Sequence, residues 1–136
     1  MPESFYSYLA GLWDLSGCFA IAIDHRKYRH SIAYIASLCL QTRDREFIEW
    51  LQHTFGGHIS TRKGHPDWYI WVLPEKRLAT LLPSVLPYMQ RQVRKKEAEL
   101  ILALHGTKQS TRKPPSPELA ALREQIYQEL RRLHNL

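Results

Sequence analysis

The sequence predicts an α+β domain: one antiparallel four-stranded sheet with helices on one face, and an extra helix at the C-terminus. Two observations carry this. The elements run helix, strand, strand, helix, strand, strand, helix, and the strands come in two hairpins, which pair antiparallel. An antiparallel sheet can leave one face to solvent, so helices gathered on the other face suffice to build a core. A third observation adds the last element: beyond a Pro-rich stretch, an apolar stripe recurs at three- and four-residue steps to near the end of the chain.

Residues 4–15 read as a helix rich in Leu and aromatics, with Ser4 as its N-cap and Gly17 as its stop. Residues 18–25 alternate as a strand, Phe19, Ile21 and Ile23 on one side, Ala20, Ala22 and Asp24 on the other. A basic turn, Arg26 to His30, leads to a second strand over 31–41. There Ile32, Tyr34, Leu38 and Leu40 share one face, and Ser31, Ala33, Ser37, Cys39 and Gln41 the other. Residues 43–55 form a helix with Phe47, Ile48, Leu51 and Phe55 as its buried stripe, ended by Gly56 and Gly57. Residues 58–62 and 67–73 pair as strands around the turn Lys63-Gly64-His65-Pro66. Glu75 to Leu82 is a short helix stopped by Pro83, and 88–105 a longer one, basic at its start and apolar later. The folded unit is thus 1–105. Residues 106–117 are a basic Pro-rich linker, and 118–136 an amphipathic helix that docks back through Leu119, Leu122, Ile126, Leu130 and Leu133.

The chain has 136 residues, 44% of them apolar, with four Trp, seven Tyr and four Phe. That material excludes wholesale disorder, and the length suits one domain. No apolar run approaches the roughly 20 residues of a membrane span, and the N-terminus lacks the basic segment of a signal peptide, so an intracellular protein with no membrane partner is expected. Lys plus Arg number 19 against 13 Asp plus Glu, a formal charge of +6. This favours a polyanionic partner, nucleic acid first, although many basic domains bind none. Cys18 and Cys39 are the only cysteines and spell no zinc motif; they come near each other if the first hairpin centres near Tyr28, but free thiols in a reducing compartment are expected. The seven histidines show no metal spacing.

The most informative stretch is Leu9-Ala10-Gly11-Leu12-Trp13-Asp14-Leu15-Ser16-Gly17, followed by Cys18-Phe19. It resembles the signature of the LAGLIDADG homing endonucleases, matching six of nine letters: Leu9, Ala10, Gly11, Leu12, Asp14 and Gly17. Phe55-Gly56-Gly57 resembles that family's turn into its third strand, and residues 86–102 resemble its last core helix. The resemblance spans about residues 5–105. It implies the αββαββα saddle sheet, with the C-terminal helix as an addition, and a double-stranded DNA substrate cut hydrolytically with a divalent metal, Mg²⁺. A single motif implies a homodimer on a near-palindromic site, the motif helices meeting across a two-fold axis through Leu9, Ala10, Gly11, Trp13 and Gly17. Small residues permit that close approach. The bland reading is a small-residue helix packed inside a monomer.

By the resemblance, the acid that binds metal stands just before the final Gly, where this chain has Ser16. A neutral hydroxyl is a poor ligand for Mg²⁺. Asp14 and the Gly17 position are the metal candidates that remain. Cleavage is lost, or Ser16 is a substitution made to block it, or Asp14 stands in for the missing ligand. Gln41 matches the residue that orients the attacking water, and Arg94, with Lys95 and Lys96 beside it, matches the cation that stabilises phosphate charge. Arg and Lys on a helix are otherwise an ordinary solvated face.

The resemblance also implies that the sheet face bearing Gln41 is the DNA surface. It offers Ser37 on the first hairpin and His58, Ser60, Arg62, Tyr69 and Trp71 on the second, with Arg26, Lys27, Arg29 and Lys63 in the turns. Phosphate contacts are well supplied and base readout is sparse. Tyr69 and Trp71 would also suit stacking on RNA or single strands. The alternative to a nuclease is therefore an inactive nucleic-acid-binding module, an intron RNA maturase or a DNA-binding protein, on the same fold.

Overall fold

A computed structural model describes residues 2–25, 32–108 and 114–135. Its elements are α1 (Glu3–Ser16), β1 (Cys18–Asp24), β2 (Ala33–Thr42), α2 (Arg45–Phe55), β3 (His58–Arg62), β4 (His65–Pro74), α3 (Glu75–Val85), a 3-10 turn (Leu86–Tyr88), α4 (Gln92–Gly106) and α5 (Pro117–His134). The strands form one antiparallel sheet in the order β1-β2-β4-β3, as expected of two hairpins joined through their second strands.

Alternation along each strand sorts the sheet into two faces. The register aligns Phe19 with Leu38, Leu38 with Leu73, Leu40 with Trp71, and Trp71 with Ile59. These residues, with Ile21, Tyr34 and Ala36, meet the helices and form the core with Leu9, Trp13, Ile48, Leu51, Phe55, Leu78, Leu82, Met89, Ala98 and Ile101.

Several element boundaries differ from those the sequence suggests, each for a local reason. Pro2, not Ser4, precedes α1, and no side chain caps that helix. Helix α2 starts at Arg45, because the Asp44 side chain accepts from the Phe47 N–H at 3.1 Å. Strand β4 begins at His65: the turn is only Lys63-Gly64, with Gly64 at φ +77°. Pro66 is accommodated because β2 pairs with β4 only from Tyr69 onward, so no β2 ladder bond is lost at the proline. Helix α3 runs through Pro83 to Val85, since burial of Leu81, Leu82 and Val85 holds its last turn while Pro83 faces solvent. Helix α4 starts at Gln92, after the 3-10 turn.

Ser116 caps α5, its hydroxyl accepting from Leu119 N–H. The helix packs on α4 and β1. Ile126, Leu130 and Leu133 are buried as expected, but Leu122 is exposed and Arg123 is buried in its stead. Arg123 donates to the Thr107 carbonyl at 2.9 Å and to its hydroxyl at 3.0 Å, satisfying polar groups just past the end of α4. Residues 109–113 of the expected linker lie outside the described residues.

A charge cluster centred on the buried Glu75 ties β2 and α3 to the end of α4. Glu75 accepts from Ala36 N–H (2.8 Å) and from Lys108 Nζ (2.5 Å), and its other oxygen lies 2.8 Å from His105 Nδ1. Burial pushes this carboxyl up, but Lys108, the Ala36 amide and His105 together outweigh it and hold it below its ordinary 4.5. Nearby, burial and the Glu124 carboxylate push the Tyr34 phenol up to about 12, so it stays protonated and donates to Glu124 of α5.

Two predictions follow from these contacts. Gly57 sits at φ +89°, and a Cβ there would lie 2.5 Å from the Val72 carbonyl oxygen, whereas one at Gly64 would meet nothing. Gly57→Ala should therefore cost about 3 kcal/mol in denaturant titrations and Gly64→Ala about 1 kcal/mol; equal costs would show that backbone conformation alone matters. Glu75, with its folded pKa depressed, contributes stability above its unfolded value that is lost as pH falls through the folded one. The stability gap between the wild type and Glu75→Gln should thus be largest near neutrality and shrink below about pH 4.5. A gap independent of pH would mean that the carboxylate charge contributes nothing.

Candidate nucleic-acid interface

The motif helix α1 divides its residues between two faces. Leu9, Ala10 and Trp13 are fully buried in the chain's own core, Trp13 edge-on to Phe19 with ring centroids 6.2 Å apart. Gly17 is buried too, and a Cβ there would lie 3.0 Å from Trp13 Cα and 3.1 Å from Leu38 Cδ1. These four were expected at a two-fold interface; the structure commits them to packing within one chain. Gly11 alone of that set is exposed, with nothing within 4 Å of a notional Cβ. It shares an uncovered stripe with Ser4, Ser7, Tyr8 and Leu15, spaced at three and four residues, and Leu15 is 82% exposed. That stripe is visible in the sequence only once the core side of the helix is known.

At the C-terminal end of α1, Asp14 is buried and its Oδ2 accepts from Gln90 N–H at 2.8 Å. Arg91 donates to the Asp14 backbone carbonyl at 2.8 Å. Both contacts pin the approach to α4 against α1, a role for Gln90 and Arg91 that the sequence reading did not assign. Ser16, the last helical residue, is exposed.

Cys18 pairs directly with Cys39. Ser16 precedes the one by two residues and Gln41 follows the other by two, so the register brings Ser16 and the exposed Gln41 to the same end of the sheet. Arg94 comes there as well: it lines a cleft of about 290 Å³ with Cys18, Arg91, Val93, Glu97, Leu133 and His134. Arg94 is mostly covered and lies 3.4 Å from the buried Glu97 carboxylate. His134 Nε2, from the end of α5, is 2.9 Å from the other Glu97 oxygen, though not aligned for a hydrogen bond. Lys95 is half-buried and Lys96 exposed; Lys96 lies close enough to Glu129 of α5 to help Arg132 hold that carboxyl below its ordinary range. The basic cluster thus diverges, and Arg94 is its member at the cleft.

The donor set at the end of α1 does not fit a divalent cation. Ser16 is neutral, one Asp14 oxygen is engaged by Gln90, the other is buried without a hydrogen-bond partner but with no second carboxylate beside it among the described residues, and Gly17 offers no side chain. Among the described residues, no group of three or more His, Cys, Asp or Glu side chains is placed to hold a metal.

On the open sheet face, the register aligns Ser60 with Ile70 and Gln41, and His58 with Val72 and Cys39. Ser37 is on the same face, opposite Ala20. Arg62 and Lys63 are exposed at the second hairpin's tip. Arg26, Lys27, Arg29 and Ser31 lie outside the described residues. Tyr69 and Trp71 are on the opposite face from that expected. Trp71 is fully buried and donates its indole N–H to the Gly56 carbonyl at 2.8 Å, and Tyr69 lines a cleft against Arg45, Ile48 and Glu49 of α2. Alternation places Ile70 and Val72 outward in their stead.

No protein-family model matches the sequence, and no curated protein does. Solved structures do match in shape. I-CvuI, a homing endonuclease crystallised on a DNA target that was not cleaved in 2 mM Mg, superposes with a TM-score of 0.80 at 20% identity, covering 96% of this chain and 83% of that one. The archaeal intron-encoded homing endonuclease I-Vdi141I, complexed with DNA, gives 0.74 at 17% identity, over 97% and 86%. The LAGLIDADG homing endonuclease I-GzeII, in complex with its DNA target, gives 0.69 at 18% identity, with 93% of this chain covering only 43% of that one. The chain has the fold of the LAGLIDADG homing endonucleases.

Proposed function

We propose that this protein is a double-stranded DNA-binding protein of the homing-endonuclease type that works as a homodimer, with cleavage impaired at Ser16. The uncovered stripe of α1 carries the reading: a helix bearing this motif leaves Ser7, Gly11 and Leu15 uncovered by the chain, while Tyr8 beside them is half-exposed and edge-on to Trp50. Two copies meeting along that stripe form a self-complementary contact and set two sheets side by side, reading a near-palindromic site. Arg62 and Lys63, with Arg26, Lys27 and Arg29, contact phosphates. Gln41, His58 and Ser60 reach base edges, and Ile70 and Val72 suit thymine methyls. With Tyr69 and Trp71 on the helix side, a stacking surface for RNA or single strands loses its two principal residues.

Where an acid would be needed to hold Mg²⁺, Ser16 supplies only a hydroxyl, and Asp14 is committed to holding Gln90. What this chain's residues contribute is binding and orientation. Gln41 presents an exposed amide at that end of the sheet and Arg94 a guanidinium whose charge is partly balanced by Glu97.

The first test is selection from a random double-stranded DNA library at moderate salt, sequenced in Mg²⁺ and in Ca²⁺. A long near-palindromic motif with intact ends is expected. Ends cut only in Mg²⁺ would show that Ser16 does not abolish chemistry, and salt-sensitive binding without a motif would sink the site-specific reading and bring RNA forward. On the selected site, Ser16→Asp should restore Mg²⁺-dependent cleavage.

Gly11→Glu tests the dimer. In an exposed helix interior the change from Gly should stabilise the protomer by about 0.5–1 kcal/mol. It should also abolish the dimer in sedimentation and weaken DNA binding. A variant that still sediments as a dimer, or a wild type that is monomeric on its site, refutes the two-fold contact through α1.

A further inference from the structure

Cys18 and Cys39, the only cysteines in the chain, are direct partners across the antiparallel β1–β2 ladder and point to the same, open face of the sheet. Residues opposite each other in such a ladder have Cα atoms about 4.5 or 5.5 Å apart, depending on the pair type. Both values fall inside the roughly 4.4–6.8 Å that a disulfide spans. Here both are free thiols, and their surroundings differ. Cys39 is half-buried in the second strand of the sheet, and burial pushes its thiol up, away from the reactive thiolate. Cys18 is exposed at the start of the edge strand β1. It lines the cleft that also holds Arg91, Arg94 and His134, a basic lining that favours anionic reagents, although Glu97 balances part of it.

We propose that Cys18 and Cys39 form a redox-active cross-strand dithiol, oxidised to an intramolecular disulfide by a small anionic disulfide, with Cys18 the attacking thiol and Cys39 the resolving one. The Cys18 thiolate attacks one sulfur of the small disulfide, which leaves as a thiol after taking up the proton that Cys18 gave up. The result is a mixed disulfide on Cys18. Cys39, directly opposite, then attacks the Cys18 sulfur, and the second small thiol departs with the Cys39 proton. One small disulfide is reduced to two thiols while two cysteine thiols are oxidised to one bridge. The pair adjoins Ser16 in sequence on one side and Gln41 on the other, so the bridge would form at the end of the sheet that carries both. The inference stands on the sheet register and does not depend on the DNA-binding reading.

The test treats the full chain with oxidised glutathione and follows it by thiol titration, intact mass and peptide mapping. Expected are loss of both free thiols, a mass lower by two hydrogens, one peptide pair joining Cys18 to Cys39, and full reversal by dithiothreitol. Cys39→Ser should stall as the glutathione adduct on Cys18, and Cys18→Ser should leave Cys39 largely unmodified over the same interval. Wild-type protein that ends as a glutathione adduct without the bridge overturns the pairing. Crosslinks between chains in place of the internal bridge overturn it equally. Faster modification of Cys39 in Cys18→Ser than of Cys18 in Cys39→Ser overturns the assigned order of attack. All readouts are made without nucleic acid, so none depends on whether the chain binds DNA.

Discussion

The contact on which the rest of the site depends is between Asp14 and the chain at Gln90 and Arg91. One buried carboxylate accepts a backbone N–H, and the neighbouring carbonyl accepts a guanidinium. Without them the end of α1 would expose an unsatisfied carbonyl, and the start of α4 would be held to α1 only through the buried Met89 and the Tyr88–Glu3 hydrogen bond just before it. Because Gly17 follows with no side chain, the strand that comes next can turn directly beneath Trp13 and Leu38. Everything at that end of the sheet, from Ser16 and Cys18 to Arg94, takes its place from this junction. Removing a buried hydrogen-bond partner there costs on the order of 1–3 kcal/mol, more than any single exposed contact of the site contributes.

The fold was largely legible in the sequence because its signals are local. Two-residue alternation marked the inward residues of β1 and β2, and the stripe Ile48, Leu51, Phe55 marked α2. What was not legible came from contacts distant in sequence. Val85 is buried by tertiary packing, which overrides the stop signal of Pro83. Tyr69 and Trp71 fall on the other face because the run Trp68 to Leu73 is apolar at every position, so alternation alone does not say which set turns inward. Only the pairing of Trp71 with Leu40 and Ile59, and its hydrogen bond to Gly56, decides between them.

The candidate site shows the same division. The motif marked a helix with one uncovered side, but not which of its small residues look outward. Ala10 and Gly17 are small so that this chain can pack on itself, while Gly11 is small on a side where nothing in the chain approaches. Arg94 was found through its neighbours in sequence. Its partner Glu97, one helical turn on, was passed over, and His134, which approaches the other Glu97 oxygen, lies forty residues from Arg94 and arrives only because α5 folds back on α4.

The exposed position of Ser16 bears on how such a site changes over generations. It terminates a helix, where the carbonyl ends present a negative pole and an acid is disfavoured by about 0.3–1 kcal/mol. A hydroxyl at that spot relieves the repulsion without disturbing any buried neighbour. Asp14, two residues earlier, is fixed by the folding of the chain whatever the chain does. Selection for a folded protein alone would therefore keep Asp14 and favour a neutral residue over an acid at position 16.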